Sequence, residues 1–182
     1  MSRLPPIDTA SMNAEQKRVY DAIAGGPRGG VRGPFLALLH VPDLADRIQN
    51  VGEYLRFNTG FGSRLNEMAI LMTARHFTCN YEWHAHEPFA RKGGLAQDII
   101  EAIRERRRPA TMQDDEAAIH DFVSELLGKG KVSDAAYQRV AKLWGTKGPV
   151  ELAGVVGYYI MIAMTLLAHD VQIPAGTEPP LK

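Results

Sequence analysis

The chain has 182 residues, the size of one domain, and its 45% apolar and 23% charged residues exclude a largely disordered protein. Lys plus Arg and Asp plus Glu both number 21, so the formal net charge is zero and the basic footprint of a general nucleic-acid binder is missing. One cysteine cannot form an internal disulfide, and Met-Ser-Arg-Leu-Pro-Pro at the start lacks the apolar run of a signal peptide. A cytoplasmic setting is the expectation.

In chain order, the periodicity predicts helices almost throughout. Asn13 with Gln16 three residues on has the pattern of a capping box and opens a helix through Val19, Ile23 and Ala24. The Gly-Gly-Pro-Arg-Gly-Gly run at 25–30 ends it in a loop. No Lys-Ser/Thr pair follows these glycines, which excludes a phosphate-binding loop. A short apolar run after Pro34 ends at His40. Pro42 then opens a helix in which Leu44, Ile48, Val51 and Leu55 form an apolar stripe. After a turn at 58–62, Ser63 is placed to cap a helix carrying Leu65, Met68, Ala69, Leu71, Met72 and Ala74. The next helix ends at Gly93-Gly94.

Leu95 to Arg107 reads as a further helix with Ile99, Ile100 and Ile103 inward, ended by Pro109. Asp114 or Asp115 is expected to cap the one after, with Ile119, Phe122, Val123, Leu126 and Leu127 buried. Ser133 caps a shorter helix through Val140 and Leu143. Leu152 to Ala168 contains no charge, yet falls short of the roughly 20 apolar residues that span a bilayer, and no Lys/Arg cluster brackets it. It is expected to lie at the centre of the fold or against a partner subunit, not in a membrane. Residues 174–182 read as a tail. No segment alternates like a strand, so the expected fold is all-α with about seven to eight helices and no sheet.

The chemistry-bearing residues gather between Glu67 and Glu87. Glu82 and His86 are four apart and share a helix face, and Glu67 lies one helix earlier. A carboxylate that holds one imidazole nitrogen while the other faces a pocket makes a general acid/base pair. The other histidines, at 40, 76, 84, 120 and 169, are expected to be structural or exposed. Metal binding is not expected: His84 and His86 point to different sides of a helix, Glu-x-x-His pairs are absent, and one cysteine cannot build a zinc site.

Glu67, Ala74-Arg75, Tyr81-Glu82-Trp83, His86 and the exit Ala90-Arg-Lys-Gly-Gly-Leu95 resemble the carboxymuconolactone decarboxylase family, which shares an all-helical fold with alkylhydroperoxidase D. The resemblance covers residues 35–107. It implies a single domain, with 1–34 an N-terminal extension and 108–182 the C-terminal helices and tail. In the peroxidase branch, a Glu and a His relay the proton of a Cys-x-x-Cys pair. Glu67, Cys79 and His86 match that pattern, but Glu82 stands at the second cysteine. The relay is kept and the peroxide-attacking nucleophile is lost.

The resemblance therefore implies cofactor-free decarboxylation, or a related lyase or isomerase reaction, on a small anionic, unsaturated or aromatic-derived acid or lactone. His86 would deliver the proton, Glu67 and Glu82 would set its tautomer, Arg75 would hold the substrate carboxylate, and Tyr81 and Trp83 would wall the site. Self-association as a trimer or hexamer is also implied. Two alternatives are a peroxidase using Cys79 with an external thiol, and a non-catalytic oligomeric binding protein.

Overall fold

The computed structural model describes residues 2–182 and contains, among them, nine α-helices and no strand. They are α1 (Ala14–Gly25), α2 (Pro34–Leu38), α3 (Pro42–Phe57), α4 (Gly62–His76), α5 (Asn80–Lys92), α6 (Gln97–Arg104), α7 (Asp114–Lys129), α8 (Asp134–Trp144) and α9 (Lys147–Ala168). The all-α expectation holds. The ninth helix is the five-residue α2, a single turn that Pro34 starts.

Helix α4 occupies the centre. Every residue from Leu65 to Ala74 is buried, because α3, α5, α6, α7 and α9 surround it. Two of its polar side chains bond to backbone: Asn66 Nδ2 donates to the carbonyls of Leu55 and Arg56 at the end of α3, and Thr73 Oγ1 donates to Ala69. Helix α4 is the most enclosed, and the apolar C-terminal segment, expected at the centre or against a partner subunit, packs beside it. Helix α9 has 22 residues and is long and apolar enough to cross a membrane, but half of its most apolar stretch is buried against α2, α3, α4, α5, α7 and α8. Its outer line, Val150, Ala153, Gly157, Met164 and Leu167, remains exposed.

The capping box at Asn13 and Gln16 is present, and Ser133 Oγ accepts from the Ala136 amide at 3.3 Å. Two expected caps are not. Helix α4 begins one residue before Ser63, at Gly62, without a side-chain cap. Helix α7 begins after Gln113, whose amide donates to Glu116 Oε2 at 2.7 Å. Asp115 is drawn instead into an ion pair with Arg64, 2.6 Å away. Helix α6 is shorter than expected because Arg106, at φ +58°, has already left the helical region. In α3 the outer half of the predicted stripe, Leu44 and Val51, faces outward, and only Ile48 and Leu55 are buried.

Both ends of the chain pack onto this core. Leu181 is buried, and its amide donates to Asn80 Oδ1 at 2.8 Å, at the start of α5. Two glycines admit close approaches, one of the loop after α1 to α5 and one of α3 to α9. At Gly33, with φ +59°, a Cβ would lie 2.6 Å from the Tyr81 ring; at Gly52, inside α3, it would lie 2.0 Å from the Tyr158 hydroxyl. Only glycine allows either approach.

Candidate active site

Helix α5 presents two different faces. Cys79, at its cap, and Trp83 and Ala90 follow one another at helical spacing and turn into the core, where all three are fully enclosed. Tyr81, Glu82, His84, Ala85, His86 and Phe89 turn the other way and form one wall of a cavity of about 390 Å³. Tyr158, Tyr159 and Ile162 of α9 form the opposite wall, Arg56 closes the end of α3, and Arg28, Arg32 and Phe35 come from the loop and α2.

Glu67 stands behind His86. Its Oε2 lies 2.6 Å from His86 Nδ1, and both side chains are buried. With the carboxylate accepting from Nδ1, the ring is held in one tautomer and Nε2 is left for the cavity. Tyr159 packs edge-on to the imidazole, with centroids 5.0 Å apart and planes at 86°. Glu67 itself does not line the main cavity; it borders a smaller hollow with Arg56 and Phe89, which also line the main one.

Glu82 is 1% exposed, and neither of its oxygens has a hydrogen-bond partner among the described residues. It does not orient the imidazole, so that part of the expected arrangement is corrected. Burial alone pushes its carboxyl well above the usual carboxylate range, favouring a neutral acid that faces the cavity. Burial likewise raises the Tyr158 and Tyr159 hydroxyls, keeping both as hydrogen-bond donors.

Of the residues expected at the site, the structure brings His86, Glu82 and Tyr81 to the cavity wall, with Glu67 behind. Arg75 is elsewhere. Its Nε donates to the Arg104 carbonyl at 2.6 Å, Nη1 to Thr78 Oγ1 at 3.1 Å and Nη2 to the Lys182 carbonyl at 2.9 Å. It ties the end of α6 to the tail, where the last carbonyls of a helix need donors. Trp83 is also outside the cavity: its indole donates to Glu87 Oε2 at 2.7 Å and lies beneath Arg104. Cys79 does not line the cavity, and its thiol is pushed up to about 12 by burial and by neighbouring Glu82. A thiol so displaced is almost entirely protonated near neutral pH and is a poor nucleophile.

Sequence reasoning missed His84, Arg28, Arg32 and Arg56. The three arginines have no carboxylate within ion-pair distance among the described residues, and the Nε atoms of Arg28 and Arg56 are buried without a partner. For Arg28 and Arg32 the glycine-rich loop was a weak local signal, since it carries two cations and no acid; Arg56, on α3, had none. Among the described residues no three His, Cys, Asp or Glu side chains gather as a metal site.

No protein-family profile and no curated protein sequence matches the chain. Solved structures do. An alkylhydroperoxidase AhpD core from Ralstonia eutropha JMP134, described as an uncharacterized peroxidase-related protein, superposes with a TM-score of 0.77 at 16% identity, over 96% of this chain and 93% of that one. The fold is that of alkylhydroperoxidase AhpD. A peroxidase-related protein from Silicibacter sp. TM1040 gives 0.75 at 16% identity, over 96% and 92%. The debrominase Bmp8, in a Cys-to-Ala form complexed with 2,3,4-tribromopyrrole, gives 0.74 at 13% identity, over 96% and 95%. At these identities the likeness is one of fold, and this AhpD-type fold carries its own site residues.

The Glu82 burial has a definite sign. A glutamate whose folded-state pKa is raised binds more protons folded than unfolded above about pH 4, so it lowers stability as pH rises past its unfolded value. Glu82→Gln is therefore expected to raise the melting temperature relative to wild type at pH 7, with the gap shrinking toward pH 4. Melting curves across that range check this; a gap independent of pH contradicts the placement.

Proposed function

We propose that the protein is an enzyme of cofactor-free acid/base chemistry, acting on a small anionic acid or lactone with an unsaturated or aromatic-derived body. The observation that carries this reading is one cavity joining the buried His86–Glu67 bond, an unpartnered Glu82 and three arginines without carboxylate partners. The volume suits a ligand of about one ring.

Decarboxylation of an unsaturated lactone acid is the reaction that uses all of these groups. The carbon–carbon bond to the carboxylate breaks, carbon dioxide leaves, and the electron pair passes into the conjugated lactone as a dienolate. A proton then returns to carbon. With Glu67 holding Nδ1–H, His86 is the proton donor when Nε2 also carries a proton, and Glu82, as a neutral acid, is a second donor to the developing oxyanion. The arginines hold negative charge in a site walled by Phe35, Phe89 and two tyrosines. An isomerase that moves a proton on a similar substrate would use the same groups.

Peroxide reduction is the weaker reading. The sole thiol is buried, displaced toward the protonated form and outside the cavity, although two of the fold's neighbours are called peroxidase-related. We further propose a homo-oligomer in the cytoplasm, a trimer or hexamer, in which the exposed apolar line of α9 meets a neighbouring subunit.

Unsaturated lactone acids offered to the purified protein should lose carbon dioxide or shift their ultraviolet absorbance. His86→Gln should slow this by about 100-fold or more, Glu67→Gln should do comparable damage, and Cys79→Ser should leave the rate unchanged. A rate that depends on Cys79 with a hydroperoxide and a dithiol, and not on His86, contradicts the proposal. Light scattering at micromolar concentration should report a multiple of the chain mass, and a monomer would remove the assembly.

A further inference from the structure

Arg18, Arg64, Arg91, Arg104, Arg107, Arg108 and Arg139 each lie within 4 Å of a carboxylate. The three that line the cavity do not. Arg28 makes a single side-chain hydrogen bond, from Nη2 to the Tyr158 hydroxyl at 3.5 Å, and Arg32 a single one, to the Gly29 carbonyl. Arg56 makes none among the described residues. The buried Nε atoms of Arg28 and Arg56 have lost water without gaining an acceptor, which is unfavourable unless an anion occupies the space before them.

Both guanidinium groups also lie over aromatic rings. Arg28 stacks over Phe35 at 4.6 Å from the ring centroid, and Arg56 over Phe89 at 4.9 Å. A stacked guanidinium keeps its N–H edge free, and that edge matches a carboxylate in two-point fashion. Arg28 is fixed further by the absence of a side chain at Gly52, where a Cβ would lie 2.5 Å from Arg28 Nη2 and 2.0 Å from the Tyr158 hydroxyl. Glycine at this helical position lets a loop cation and an α9 phenol meet above α3. Opposite them, Glu82 is the one carboxyl group on the cavity wall. In its neutral form it does not cancel the arginines.

We infer that the substrate carries a carboxylate which the reaction leaves intact, clamped between Arg28 of the N-terminal loop and Arg56 of α3, with Gly52 and Tyr158 positioning Arg28. This rests on the acid/base reading of the same cavity and narrows it. A cation on a carboxylate that departs as carbon dioxide would stabilise the ground state and oppose the reaction, so a clamp of this strength serves catalysis only when its anion survives. The substrate class is then a conjugated acid with a spectator carboxylate. For a decarboxylation that means two carboxylates; for an isomerisation, one suffices.

The test is binding of trans,trans-muconate, benzoate and the neutral isostere benzamide to the full chain, followed by calorimetry. Muconate and benzoate should bind, and benzamide should bind at least about tenfold more weakly. Arg28→Gln and Arg56→Gln, neither of which breaks an ion pair, should each weaken muconate binding about 10- to 100-fold with little change in melting temperature. Arg56→Lys should recover part of the loss. Gly52→Ala should weaken binding as Arg28→Gln does, and Arg75→Gln should leave it unchanged. No carboxylate binding at millimolar concentration, equal binding of benzamide, or unaltered binding in the two Gln variants would each overturn the clamp. His86→Gln separates the two readings: it should bind muconate within about threefold of wild type while losing turnover. Normal binding with normal turnover in His86→Gln removes the acid/base reading and leaves the clamp, whereas normal binding in the Arg variants removes the clamp alone.

Discussion

Helix α4 is enclosed from Leu65 to Ala74, and Glu67 lies near the start of that stretch. A carboxyl group buried in that position has little access to water and is satisfied inside the protein. His86 of α5 meets it at 2.6 Å, so the closest helix pairing in the fold is also the one that builds the site. From this bond follow the tautomer of the imidazole, the direction of Nε2 and the side of α5 that faces the cavity. Pro88 begins a turn just beyond, where it removes an amide that would otherwise bond to the His84 carbonyl and leaves that turn of α5 to face the cavity without it.

The same enclosure treats the next carboxyl differently. Glu82 sits one turn before His86 and is equally buried, but nothing donates to it. Glu67 is matched by His86 and Glu82 is left alone, so burial raises the Glu82 carboxyl well above the usual carboxylate range and favours its neutral form. Cys79 shows the converse: burial beside Glu82 suppresses the thiolate that peroxide chemistry would need. The charge of the cavity is supplied from outside the α4–α5 pair. Arg28 and Arg32 arrive on the N-terminal loop and Arg56 at the end of α3, held by aromatic stacking and by two glycines that admit the close approaches.

Several helices were legible because they carry a local signal: the Asn13 box, Pro42 at a first turn, Ser133 as a cap. Where a tertiary partner competed, the local signal failed, as when Arg64 took Asp115 away from the cap of α7. The pairing of Glu67 with His86 was legible through spacing and resemblance together. Arg75 and Trp83 were misplaced because sequence proximity to His86 says nothing about which side of a helix faces a hollow; both answer to α6 instead, Arg75 through the Arg104 carbonyl and Trp83 through the Arg104 guanidinium. Arg28, Arg32 and Arg56 were invisible for the opposite reason. They are 30 to 58 residues from His86 along the chain, and only the tertiary packing of the loop after α1 and of the end of α3 brings them to one cavity with it.

The account stands on a proton held by a buried, unpaired acid in a cation-lined cavity. The most direct measurement is the carboxyl ¹³C resonance of Glu82 in glutamate-labelled protein, assigned with Glu82→Gln and followed from about pH 3 to 9. The account predicts a titration midpoint well above that of an ordinary glutamate. A midpoint near the ordinary value of about 4.3 would contradict it, because Glu82 would then be a solvated carboxylate that neutralises the arginines and leaves the cavity without its acid.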